Sequence, residues 1–140
     1  MFISYNKVRM HDTDMAGILY FARQFRFAHD ALEDFVESEG MTFDDVFHRK
    51  NFVFVIVHCE ADYLMSLNVG DKLEVHVFVE RIGSTSFTMS YHIYRTDHSL
   101  VGTAKTIHVT LDTKTRKKID IPDDFRAMLE KHYISNDPNQ

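Results

Sequence analysis

The residues with the most chemical potential lie in the stretch His11-Asp12-Thr13-Asp14-Met15-Ala16-Gly17-Ile18-Leu19-Tyr20-Phe21. Two carboxylates one residue apart are followed by Ala-Gly and an apolar turn. That order sets acidic groups beside the unpaired N–H donors that begin a helix. A carboxylate there can attack an electrophile or activate water, while the N–H groups steady an anion forming nearby. Gly17 has no Cβ, so the backbone can turn tightly or approach a ligand. The same pattern also fits a structural role, in which Asp12 or Asp14 does no more than cap the helix.

Such a loop needs rigid elements on either side. Phe2 to Arg9 alternates imperfectly and predicts a short strand before it. After it, Phe21, Phe25, Ala28, Leu32 and Phe35 recur at helical spacing and predict one face of a long helix, stopped by a left-handed Gly40. These phenylalanines are read as packing on a sheet rather than as a ligand box. Thr42 to Phe47 predicts a short helix with Thr42 as N-cap. From Asn51 the period changes to two residues. The apolar run Phe52 to Leu64 suits a strand buried on both faces, and Asn68-Val69-Gly70-Asp71 a turn out of it. Leu73 to Val79 and Phe87 to Ile93 alternate as strands joined by a Gly83-Ser84-Thr85 hairpin, and Leu100 to Leu111 is a further strand. Pro122, followed by Asp123 and Asp124, opens a last helix. The order is an α+β layer arrangement, expected as one domain over 1–134 with a loose polar tail over 135–140.

The 140-residue chain carries a net charge of −5, which argues against a nucleic-acid binder, since that would need a basic stripe. One cysteine, Cys59, excludes an intrachain disulfide and a thiolate zinc cluster. The nine histidines show no paired ligand spacing, so no metal is expected. Residues Met1 to Met10 lack the apolar core of a signal peptide, and no apolar run reaches bilayer length. The expected setting is cytoplasmic, without a membrane partner.

The acidic loop, read as D-x-D-x-x-G-[IV]-[LV]-Y-[FYH] after a strand ending in Val8-Arg9-Met10, resembles the signature of the 4-hydroxybenzoyl-CoA thioesterase family of acyl-CoA thioesterases. Looser similarity runs through Phe52 to Val55, Asn68 to Asp71, Thr85-Ser86-Phe87 and Ile121-Pro122. The resemblance implies a hot-dog fold, an antiparallel sheet wrapped around one long helix, with two subunits paired edge to edge. It implies a homodimer or homotetramer acting on an acyl-CoA substrate with no metal or bound cofactor.

Residue by residue, the resemblance puts Asp14 at the catalytic carboxylate, attacking the thioester carbonyl or deprotonating water. The backbone N–H of Phe21 would polarise that carbonyl, Gly17 would keep the loop compact, and Asp12 would fix it. Tyr20 would pack or hydrogen-bond behind the loop. His29 stands where hydroxybenzoyl-specific relatives carry an acid that receives the substrate phenol. Together with Phe21, it resembles the branch acting on 1,4-dihydroxy-2-naphthoyl-CoA, while a plain surface or core histidine fits equally. CoA phosphates would meet Arg81, with Ser84 and Thr85 and the hairpin amides assisting, or Lys105 and Arg116 reaching in. The pantetheine arm would lie along Phe54 to His58, between subunits. An acyl-carrier-protein thioesterase and a non-catalytic acyl-CoA-binding module remain as alternatives.

Overall fold

Strong two-residue alternation builds the centre of the molecule. In a computed structural model describing residues 1–14, 17–42, 44 and 51–134, strands β1 (Phe2–Lys7), β2 (Phe52–Tyr63), β3 (Lys72–Ile82), β4 (Ser86–Arg95) and β5 (Leu100–Asp112) form one antiparallel sheet. Their order across it is β1-β3-β4-β5-β2. Leu73, Val75, Val77 and Val79 of β3 and Phe87, Met89, Tyr91 and Ile93 of β4 are all buried, so the alternation does select the inner face. This is the sheet-around-helix layout that the resemblance implies.

Helix α1 (Gln24–Ser38) lies against that inner face through Phe27, Ala28, Ala31, Leu32, Phe35 and Val36. The expected face differs at its start, because Phe21 is 62% exposed. Phe21–Arg23 forms a 3-10 turn, whose three-residue period puts Phe21 out of phase with the α-helix that follows. Gly40 ends the helix region at φ +84°, as expected. The short helix expected from Thr42 lies largely outside the described residues, as does the 135–140 tail.

Helix α2 (Asp123–Lys131) opens after Pro122 and closes the far end of the core. Phe125 sits 5.3 Å from the Phe52 ring and 5.5 Å from those of Phe54 and Phe87. Beyond it the chain covers the edge of β3 past the point where β1 begins. There Val79 donates its N–H to the His132 carbonyl at 2.9 Å and accepts from Ile134 at 2.9 Å.

Among the described residues the other edge is open. There β2 pairs only with β5, with a bulge at Val57, and Val55, Ile56 and Val57 are 37%, 46% and 58% exposed. The expectation of a strand buried on both faces therefore holds for Phe52 to Phe54 alone. A continuous apolar run cannot tell a central strand from an edge strand whose cover comes from outside the chain.

Candidate active site

Beyond Asp12 the acidic loop is a small hairpin rather than the cap of the long helix. Asp14 donates its N–H to the Ile18 carbonyl and accepts from the Gly17 N–H, both at 3.0 Å, and Thr13 bridges Leu19. Gly17 takes φ +80°, which a side-chain-bearing residue rarely adopts. The hairpin is tied to its surroundings by Leu19 N–H on Leu67 O at 2.8 Å and by Tyr20 N–H on Asp12 O at 2.8 Å. Because α1 begins only at Gln24, neither acid caps it.

The two acids have different surroundings. Asp12 is fully buried, takes the Arg9 N–H at 2.8 Å, and is gripped by Arg26 from α1. Burial pushes its carboxyl pKa up, but the Arg26 and Arg9 hydrogen bonds and the Arg26 charge outweigh this and hold it below the ordinary value. Arg26 also donates to Asp30 at 2.9 Å and to the Lys7 carbonyl at 3.0 Å, so one side chain joins loop, strand and helix. Asp14, two residues on, is exposed at the surface.

The turn that carries Phe21 is held from β2, where the Tyr63 hydroxyl donates to the Phe21 carbonyl. Phe21 opens that turn, where the first N–H groups of a helix lack partners within it. Just below, the buried Gln24 donates from its amide to the carbonyls of Asp62 and Thr103, both at 2.9 Å, locking α1 to the ends of β2 and β5. A surface cleft of about 360 Å³ lies at this junction, bounded by Ile18, Leu19, Phe21, Tyr63, Met65 and Leu67. Tyr20 is exposed on the same side, its ring 4.8 Å from that of Phe21. Sequence reasoning passed over Arg26, Gln24 and Tyr63. Their only trace was a polar residue recurring inside an apolar helix or strand.

The remaining residues separate into two places. His29 lines a cavity of about 150 Å³ between α1 and the sheet, together with Phe25, Leu32, Ile56, Tyr91 and Thr106. Phe54 points into the core, 5.8 Å from Phe87 and 5.5 Å from His108, while His58 is exposed on the opposite face of β2, 3.9 Å from Glu60. The Phe54 to His58 segment thus offers two opposite faces.

Arg81 lies at the end of β3, and Ser84 and Thr85 lie in the turn between β3 and β4. The acidic loop adjoins the other end of β3, through Val8 N–H on Asp71 O and the Ile18–Asn68 bridge. The eleven residues of β3 therefore separate these groups by roughly 33 Å within one chain. Of the further cations, Lys105 is engaged by Glu80 at 2.9 Å, and Arg116 sits in a left-handed turn. Among the described residues, no group of three His, Cys, Asp or Glu side chains is placed to hold a metal, and no helix is long and apolar enough to cross a membrane.

Comparison with known proteins agrees with this geometry. Residues 8–129 match the family described as the thioesterase-like superfamily. The chain is 35% identical to a 1,4-dihydroxy-2-naphthoyl-CoA hydrolase of Nostoc punctiforme, over 93% of its length and 88% of that protein. It is 32% identical to the enzyme of the same name from Synechococcus elongatus, over 88% and 90%. It superposes with a TM-score of 0.85 on a 1,4-dihydroxy-2-naphthoyl-CoA thioesterase from Synechocystis, at 25% identity, covering 99% of this chain and 98% of that one. A Staphylococcus aureus protein solved in complex with CoA shares the fold, with a TM-score of 0.86 at 16% identity over 94% and 82% of the two chains. With the match running from the residue after β1, through the acidic loop, into the last helix, the chain belongs to the thioesterase-like superfamily and has its hot-dog fold.

Proposed function

We propose that the protein hydrolyses an aromatic acyl-CoA thioester to the free acid and CoA, and that Asp14 is its catalytic carboxylate. The observation that carries this is the clamped loop. Arg26 and Asp12 fix the base of the hairpin that presents Asp14, while Tyr63 fixes the turn bearing the Phe21 N–H beside the surface cleft. Asp14 either attacks the carbonyl to give a mixed anhydride, which a water molecule then cleaves to restore the carboxylate, or takes a proton from the attacking water. Both routes expel the CoA thiolate and end in the free acid. The Phe21 N–H receives the charge that builds on the carbonyl oxygen, a contribution of about 3 kcal/mol for one such donor. The aromatic acyl class is extended to this chain from the relatives named above.

The working unit is proposed to be a homodimer joined through β2. A twelve-residue open edge carrying exposed Val55, Ile56 and Val57 invites a further strand. A second copy running antiparallel would bring its Phe52 end, and with it the hairpin of Arg81, Ser84 and Thr85, toward the acidic loop. Pairing thus supplies the phosphate contacts that one chain holds about 33 Å from Asp14.

Thiol release from a panel of benzoyl, naphthoyl, short-chain and long-chain CoA esters tests the reading. Saturable release by the parent, falling by about a hundredfold or more in Asp14→Asn, is the expected result. Parent-like turnover in the variant would remove Asp14 from the mechanism. Binding without thiol release would leave an acyl-CoA-binding module.

A further inference from the structure

The cavity between α1 and the sheet contains a polar device that the thioester chemistry does not use. Its apolar lining comes from Phe25, Leu32 and Ile56, and its volume of about 150 Å³ suits a single aromatic ring. Tyr91 and Thr106, from neighbouring strands, line it too, and their hydroxyl oxygens are 2.9 Å apart. Behind them Thr106 Oγ1 lies 2.8 Å from Nε2 of His108. All three residues are buried, and a hydrogen-bonded chain ending at the wall of a cavity that His29 and Cys59 also line has a direction that can be worked out.

Burial pushes the His108 imidazole pKa down to about 4, with the charge of His29 adding to the effect, so the ring is neutral at ordinary pH and carries one N–H. Nδ1 has no hydrogen-bond partner among the described residues. A buried N–H without an acceptor is costlier than an acceptor without a donor, so the proton resides on Nε2. Nε2 then donates to Thr106, and Thr106 donates to the Tyr91 oxygen. The phenolic hydrogen of Tyr91 is left over, on a residue that lines the cavity. Burial raises the Tyr91 pKa, outweighing the opposing effect of the Thr106 hydrogen bond, which keeps that hydrogen in place.

The location suits an acyl group. Phe25, in the first turn of α1, lies four residues beyond Phe21, about 6–8 Å along the 3-10 turn and the helix that continues it. A ring attached to a carbonyl held at the Phe21 N–H would therefore run along α1 into this space. We propose that this cavity takes the substrate's ring and that Tyr91, aligned by Thr106 and His108, is a specificity-determining donor to an oxygen substituent on that ring. The proposal rests on the thioesterase reading above and adds to it the side chain that reads the ring's oxygen.

The test compares kcat/KM for benzoyl-CoA with that for 2-, 3- and 4-hydroxybenzoyl-CoA in the parent, Tyr91→Phe and Thr106→Val. The parent is expected to favour at least one hydroxylated ester by about tenfold or more. Tyr91→Phe should reduce that preference to within about threefold, because kcat/KM falls further for the favoured hydroxylated ester than for benzoyl-CoA. Thr106→Val, which keeps side-chain shape but breaks the chain, should move the preference in the same direction and serves alone if Tyr91→Phe does not fold. A parent that hydrolyses all four esters without preference, or variants that lose all four equally, would overturn the role of Tyr91 while leaving the thioesterase reading intact. Absence of thiol release from every ester by the parent would instead defeat the thioesterase reading, and this proposal with it.

Discussion

Arg26 holds Asp12 with two nitrogens at once, Nε on Oδ1 at 2.7 Å and Nη2 on Oδ2 at 2.5 Å, and so fastens the acidic loop to the first turns of α1. The planar fork of arginine matches a carboxylate in a way that the lysine ammonium does not.

Arg26→Ala leaves the Asp12 carboxylate buried and unpaired, so a loss of about 3–5 kcal/mol in urea unfolding is expected. Arg26→Lys should keep the charge yet still lower thiol release, because the loop is no longer gripped on both oxygens. Asp12 adds an acid limit. Its folded pKa lies below the unfolded one near 3.9, so its stabilisation is present above about pH 4 and is lost as pH falls through the folded value. Unfolding curves of the parent and Asp12→Asn across that range check the sign.

Gly17→Ala separates conformation from crowding. A Cβ there meets nothing within 4 Å, so the expected cost, about 1–2 kcal/mol, comes only from holding alanine at φ +80°. Thermal unfolding reads the stability term, and kcat shows whether the hairpin shifts Asp14.

Gly102→Ala is the converse case, with strain from space alone. Its Cβ would lie 2.6 Å from Oε1 and 2.7 Å from Nε2 of Gln24. The amide cannot swing aside without giving up the carbonyls of Asp62 and Thr103, so a loss of about 1–3 kcal/mol is expected. Pairing the substitution with Gln24→Ala should recover part of it, which a double-mutant cycle measures.

His108 gives a second pH dependence, in a higher window. Its folded pKa of about 4 is below the unfolded value near 6.5, so the unfolded chain takes up the proton first. Stability from the neutral imidazole is complete above about pH 6.5 and declines by about 3 kcal/mol as pH falls toward 4. His108→Gln should flatten that part of the profile in denaturant titrations from pH 8 to 4.5.

Much of the architecture was readable before any coordinates. The strict alternation of Leu73 to Val79 and Phe87 to Ile93 leaves one way to face the core, and Gly40 and Pro122 mark where helices stop and start. The loop of Asp12, Asp14 and Gly17 was visible because its residue types sit side by side. Arg26 was not, because its partner lies fourteen residues away and only folding joins them. β2 was misjudged because hydrophobicity along a strand reports that cover is wanted, without saying who supplies it. Phe21 was misjudged because a single 3-10 turn changes which way a side chain faces, a change that periodicity cannot register.

The hairpin between β3 and β4 depends on an element far from it in sequence. Arg126 of α2 donates to the carbonyl oxygens of Gly83 at 2.8 Å and Ser84 at 3.3 Å, and the Ile121 N–H reaches Ser84 O at 2.9 Å. The last helix thereby acts as a splint for the tip that carries Ser84 and Thr85. Unwinding its first turn would set that tip swinging while the Arg26-bound loop at the other end of the sheet kept its shape, so under the proposed function nucleotide-end affinity and turnover would part company.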